Sequence, residues 1–211
     1  MFSEFAEVSS ATWGVIVALL LVGVVVFAVS KDKKRWTARM LANGALCIAL
    51  STVLSFITLY KMPQGGSITL ASMLPMFLFA YAYGVGPGML VGAAYGFVQF
   101  LQGGLYFVHP VELLLDYPLA FAMLGLAGLS NKFSDQWGMI PGIILGTFGR
   151  FVCAFLSGLI FFGKFAPEGQ NVVIYSMVYN GLYLVPEAII CIVLAMIPQI
   201  RQLAKRLALQ D

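Results

Sequence analysis

The chain has 211 residues, 61% of them hydrophobic and only 10% charged, with a formal net charge of +3. Soluble domains hold about 45–50% apolar and about 25% charged residues, so a soluble enzyme, a disordered chain and a nucleic-acid module are excluded. The composition is that of an integral membrane protein, and at about 20 residues per spanning helix the length holds about six or seven spans. The cysteines Cys47, Cys153 and Cys191 each lie inside an apolar run, which speaks against a disulfide framework or a zinc site. A single histidine, His109, rules out a multi-histidine metal site.

Apolar runs predict spans at 11–30, 40–59, 68–83, 87–103, 110–129, 139–162 and 172–198. They lack the period-2 alternation of barrel strands. The expected fold class is all-α, a polytopic membrane helix bundle. The first run is as apolar as a signal peptide, but Glu4 and Glu7 precede it without any Lys or Arg. Its basic cluster, Lys31, Lys33, Lys34, Arg35 and Arg39, follows it instead. We read it as a retained span with the N-terminus outside. Seven spans then place segments 31–39, 84–86, 130–138 and 199–211 inside, and these hold nine of the twelve Lys and Arg residues. Lys61 and Lys164 fall outside, and Arg150 within a span. A cytoplasmic C-terminus follows. The loops 60–67, 104–109 and 163–171 lie on the outer side, and a site built from them faces outward.

Glu112 and Asp116 are four residues apart on one face of the fifth span, with Asp116 about 9 Å below its outer end. A carboxylate within a span costs about 2.5–3.5 kcal/mol on insertion scales and needs a partner or a water-filled cavity. Asp116 suits a counter-charge for a cationic substrate. Glu112, nearer the rim, suits a headgroup contact or a partner for Lys61 or Lys164. Tyr117 beside Asp116 makes an acidic–aromatic pair fit for a cation. Tyr106, in the preceding loop, reads by position as an interfacial belt residue.

The last span carries Tyr175, Tyr179 and Tyr183 at a stride of four, with Asn180, Tyr183 and Glu187 on a neighbouring stripe. An Asn here can bond an adjacent helix or read the donor–acceptor edge of a heterocycle. Arg150 and Glu187 lie at similar depths, about 18 Å and about 22 Å from their outer ends. They suggest a buried ion pair that fixes packing, with a proton relay as the alternative. Gly84, Gly88, Gly92 and Gly96 form one small face, and Ala38, Ala42, Ala45 and Ala49 another. Internal packing is the usual role of such faces; docking of a separate membrane subunit stays open for Ala45 and Ala49. Ser157 has no G-x-S-x-G elbow around it and the chain has no P-loop, so active transport would draw on an ion gradient or another protein.

Four blocks carry a resemblance: Pro63-Gln64-Gly65-Gly66-Ser67; His109 through Tyr117; Ser157 through Gly169; and Ile174 through Asn180. In order and spacing, over roughly residues 38–198, they resemble the thiamine-specific substrate-binding subunits of energy-coupling-factor transporters, the ThiT (YuaJ) family. The resemblance implies a six-helix S-component core over 38–200. It leaves 1–37 as an extra transmembrane helix with a basic linker and 201–211 as a basic cytoplasmic tail. It further implies a binder in the cell membrane that captures thiamine from outside and has no catalytic activity or cofactor. Its implied partners are a shared energy-coupling transmembrane protein and two cytoplasmic ATPase subunits. A stand-alone proton-coupled thiamine transporter is the alternative. Residue by residue, the resemblance places Asp116, Tyr117, Tyr106, Tyr175 and Asn180 in the pocket. Phe162 falls at a stacking position, and Gly158 at a glycine whose backbone lies against the ligand. Ala45 and Ala49 match a docking patch. Ala154 stands where the family pattern has a histidine, and Pro167 where some members have a tryptophan.

Overall fold

The computed structural model describes residues 36–103, 109–132 and 138–209. The expected first span, most of its basic linker and Tyr106 lie outside the described residues. The remaining six expected spans are all present as helices, α1 to α6, which makes the class all-α apart from one small hairpin.

Helix α1 spans Ala38–Phe56, and the Thr37 hydroxyl caps it by accepting from the Met40 N–H at 3.1 Å. One face, with Met40, Gly44, Ser51 and Ser55, is buried, while Leu41, Leu46, Leu50 and Val53 stay exposed. An exposed apolar face of this extent suits lipid rather than water. The chain then departs from the helical expectation. Residues Thr58–Lys61 (β1) and Ser67–Thr69 (β2) form an antiparallel hairpin in which Tyr60 faces Ile68 and Lys61 faces Ser67. Its turn closes through the Met62 N–H to the Gly66 carbonyl at 2.6 Å, with Gly65 at φ 105°, a conformation glycine adopts without strain.

Helix α2 (Leu74–Tyr83) is apolar on all sides and buried along almost its whole length, as an all-round hydrophobic helix must be. At 1.5 Å per residue it covers about 15 Å, half of a bilayer core. It ends at Gly84, whose φ of 93° and ψ of 176° belong to glycine alone. The chain reverses there into α3 (Val85–Gln102), bringing Gly88 against Ala80. Phe77, Phe79, Tyr83 and Tyr95 fill the centre of the bundle.

Helix α4 (Pro110–Asn131) is continuous but irregular: α over Pro110–Leu114, π over Leu115–Leu119, α over Ala120–Ala122, then 3₁₀ over Met123–Lys132. Helices α5 (Met139–Phe161) and α6 (Val172–Ala195) pack on each other, and α5 also packs on α4. A 3₁₀ turn at Gly163–Phe165 lies in their connection. Among the described residues α1, α4, α5 and α6 are long and apolar enough to cross a membrane. The basic stretch expected as a tail is helical: α7 (Pro198–Leu209) buries Ala204 against α2.

The glycine face of α3 packs internally. A Cβ on Gly92 would overlap the Phe121 carbonyl oxygen, and one on Gly96 would lie 2.6 Å from the Tyr117 carbonyl oxygen. Only hydrogen at these positions lets the α3 and α4 backbones meet, and that contact positions the irregular part of α4.

Candidate functional site

The hairpin and helices α1, α3, α4, α5 and α6 line a cavity of about 650 Å³. This lies within the usual range for small-molecule sites, about 300–1,000 Å³. Asp116 enters it from the π segment of α4. Pro118 has no N–H to bond the Leu114 carbonyl, so the regular ladder fails at this turn. π turns of this kind recur at functional sites. One Asp116 oxygen accepts from the Ser157 hydroxyl at 2.8 Å. A carboxylate offers about four acceptor sites, so this bond orients Asp116 and leaves it capacity for a ligand. The neighbouring Tyr117 ring meets Phe100 edge-on at 5.3 Å.

Helices α5 and α6 approach closely at Gly158, where a Cβ would overlap the Ser176 hydroxyl. The contact leaves the Gly158 backbone facing the cavity. Asn180 is tightly held: its amide nitrogen donates to the Ala154 carbonyl at 3.2 Å and the Ser176 carbonyl at 2.9 Å. Its oxygen accepts from the Tyr183 hydroxyl at 3.0 Å. It therefore bonds the adjacent helix, and of its polar atoms only the oxygen, with one lone pair still open, can serve a ligand.

The hairpin closes one side. The Gln64 N–H donates to the Tyr179 hydroxyl at 3.0 Å, and Gly66 lies against the Tyr183 ring. At its base, Glu187 accepts from the Thr69 N–H at 3.1 Å, the Thr69 hydroxyl at 2.6 Å and the Ser72 hydroxyl at 2.9 Å. The α6 stripe Tyr179, Tyr183, Glu187 is thus the strip to which the hairpin is fastened.

Two expectations are corrected. Arg150 and Glu187 do not pair. Glu187 is satisfied by the hairpin base, and the Arg150 guanidinium lies 4.1 Å from the Phe121 ring centroid, lining the cavity. Similar depth on two helices did not place the groups on facing sides. Glu112 does not reach out to headgroups. It is buried, accepts from the His109 N–H at 3.4 Å, and with His109 Nδ1, which accepts from Val111 N–H at 3.1 Å, caps the start of α4.

Asp116, Tyr117, Asn180, Tyr175, Phe162 and Gly158 all line this one cavity, drawn from three helices and the α5–α6 connection. Ala154 lines it too. Ala45 and Ala49 are exposed on the outer face of α1. The chain matches the model of the thiamine transporter protein family (Thia_YuaJ) over residues 41–207.

The chain belongs to that family.

A curated relative, thiamine transporter ThiT of Bacillus subtilis (strain 168), is 37% identical over 160 residues, covering 70% of this chain and 83% of the relative. Another, thiamine transporter ThiT of Lacticaseibacillus paracasei, is 32% identical over 123 residues, covering 52% of this chain and 61% of the relative. The solved structure of ThiT from Listeria monocytogenes matches with a TM-score of 0.70 at 24% identity, covering 80% of this chain and 96% of that one. That likeness shows the fold. The family's function is transport, not catalysis.

Sequence reasoning passed over Gln99 and Gln102 and read Arg150 as an ion-pair partner rather than a cavity residue. The two glutamines within α3 carried a usable signal, since amides within an apolar span are rare unless they face a polar interior.

Proposed function

We propose that the chain is the thiamine-binding membrane subunit of an ATP-driven importer. It captures thiamine at the outer side of the cell membrane and releases it inside, together with an energy-coupling transmembrane protein and two cytoplasmic ATPase subunits. The observation that carries this reading is the convergence of Asp116, Tyr117, Tyr175 and Phe162 on one cavity in a chain of the thiamine transporter family. Thiamine is a fixed cation with two flat rings. It calls for one carboxylate and several aromatic faces, and each desolvated cation–π contact contributes about 2 kcal/mol. Tyr106 belongs to the same proposed pocket.

Ala45 and Ala49 are the proposed docking patch for the coupling protein. Both are exposed, and small residues let a second helix come close. In this reading the N-terminus is outside and the C-terminus in the cytoplasm, which the distribution of Lys and Arg supports. Glu187, engaged in three hydrogen bonds, serves the hairpin rather than a proton relay.

Uptake of labelled thiamine by cells expressing the chain tests this. Uptake should stop when the coupling ATPases are deleted and persist in protonophore while ATP is maintained. Uptake that survives the deletion and collapses with the protonophore would instead mean a stand-alone proton-coupled transporter.

A further inference from the structure

A second wall of the cavity, where α1 meets α3, is built of neutral amides and hydroxyls. Gln99 Nε2 lies 3.1 Å from the Ser55 hydroxyl, 3.0 Å from the Tyr95 hydroxyl and 3.0 Å from Gln102 Oε1. Its two hydrogens can serve two of these three acceptors. The Tyr95 and Ser55 hydroxyls reach the Ser51 carbonyl at 3.2 Å and the Thr52 carbonyl at 2.7 Å. Two groups are left over: the Gln99 carbonyl oxygen and the Gln102 NH₂. Neither makes a hydrogen bond among the described residues, and both side chains line the cavity.

Several donors on the α5–α6 wall are already engaged. The Ser157 hydroxyl donates to Asp116, the Ser176 hydroxyl to the Phe155 carbonyl at 2.7 Å, and the Asn180 NH₂ to backbone carbonyls. The Ser157 and Ser176 hydroxyls and the Asn180 NH₂ could donate to a ligand only by breaking these contacts, so the donor left on that side is the charged Arg150 guanidinium. Gln99 and Gln102 offer one of each without loss. The Tyr117 hydroxyl lies beside Gly103, directly after Gln102, so this wall adjoins the Asp116–Tyr117 pair.

We propose that Gln99 and Gln102 form a second polar subsite, which takes a neutral donor-and-acceptor group of the ligand whose cation sits at Asp116. This rests on the thiamine reading above. In thiamine two groups have that chemistry: the aminopyrimidine edge and the hydroxyethyl arm.

The test is calorimetric titration of the full chain with three ligands. They are thiamine, oxythiamine (oxygen in place of the amino group) and an analogue with ethyl in place of hydroxyethyl. The unaltered chain should bind at least one analogue about tenfold more weakly than thiamine. Gln102→Met leaves the Gln99 bonds to Ser55 and Tyr95 in place. It should lose about tenfold for thiamine and cease to discriminate against one analogue, which identifies the group read. Gln102→Leu, which removes the amide without adding charge beside the cation, should behave alike and covers the case of a Met variant that fails to fold. Unchanged thiamine affinity, or equal weakening for all three ligands, would overturn the subsite alone. Failure of the unaltered, folded chain to bind any of the three would overturn the thiamine reading itself.

Discussion

Asp116 stands where three local features meet: a π turn set by Pro118, a hydroxyl donor from Ser157 and the wall of a cavity. It was legible in the sequence because a carboxylate inside an apolar run is too costly to be idle. Asp116→Asn removes the charge and keeps the shape. Thiamine binding should weaken at least about tenfold, read by calorimetry, because charge-assisted contacts are roughly twice as strong as neutral ones. Unchanged affinity would remove Asp116 from the site. Arg150 shows the limit of the same reasoning. Its depth was readable, but the side it faces depends on the rotation of α5, which a short list of polar residues does not determine. The chain gave Glu187 partners from a hairpin that the sequence reading had not foreseen.

The hairpin went unseen because Thr58-Leu59 reads as the end of the second span and 60–67 as a loop. Strand pairing there depends on partners at Ser67–Thr69 and on α6, not on local periodicity. The Gly65-Gly66 turn was the available hint. In Gly66→Val a Cβ would lie 2.7 Å from the Tyr183 ring and push the hairpin off the α6 stripe. Overpacking of this kind costs about 1–3 kcal/mol, so thiamine should dissociate about tenfold faster in stopped-flow measurements, and an unchanged rate would show that the hairpin does not close the site. The α3–α4 contact was better readable, since glycines four apart mark a close helix face. Gly92→Val should lower stability by about 1–3 kcal/mol in detergent thermal unfolding, because its Cβ meets the Phe121 carbonyl, a backbone atom that cannot swing away. An unshifted transition would contradict that packing.

Across the whole chain, six helices of the bundle followed from runs of apolar residues, since a bilayer demands long, internally bonded segments. The turn at 84–86 was expected as well; the half length of α2 was not, because apolar length alone cannot tell a span from a buried half-helix. The two faces of α1 separate two roles: Ser55 lines the cavity, while Ala45 and Ala49 look outward. Ala49→Trp should therefore abolish co-purification with the coupling protein and ATPases while leaving thiamine affinity intact. Loss of both together would mean that the alanine face serves the fold. Capture itself is tested most directly by calorimetric titration of the purified, detergent-solubilised chain with thiamine, with neither ATP nor partners present. One-to-one binding is the expected result; no heat of binding at millimolar thiamine from a folded sample would contradict it.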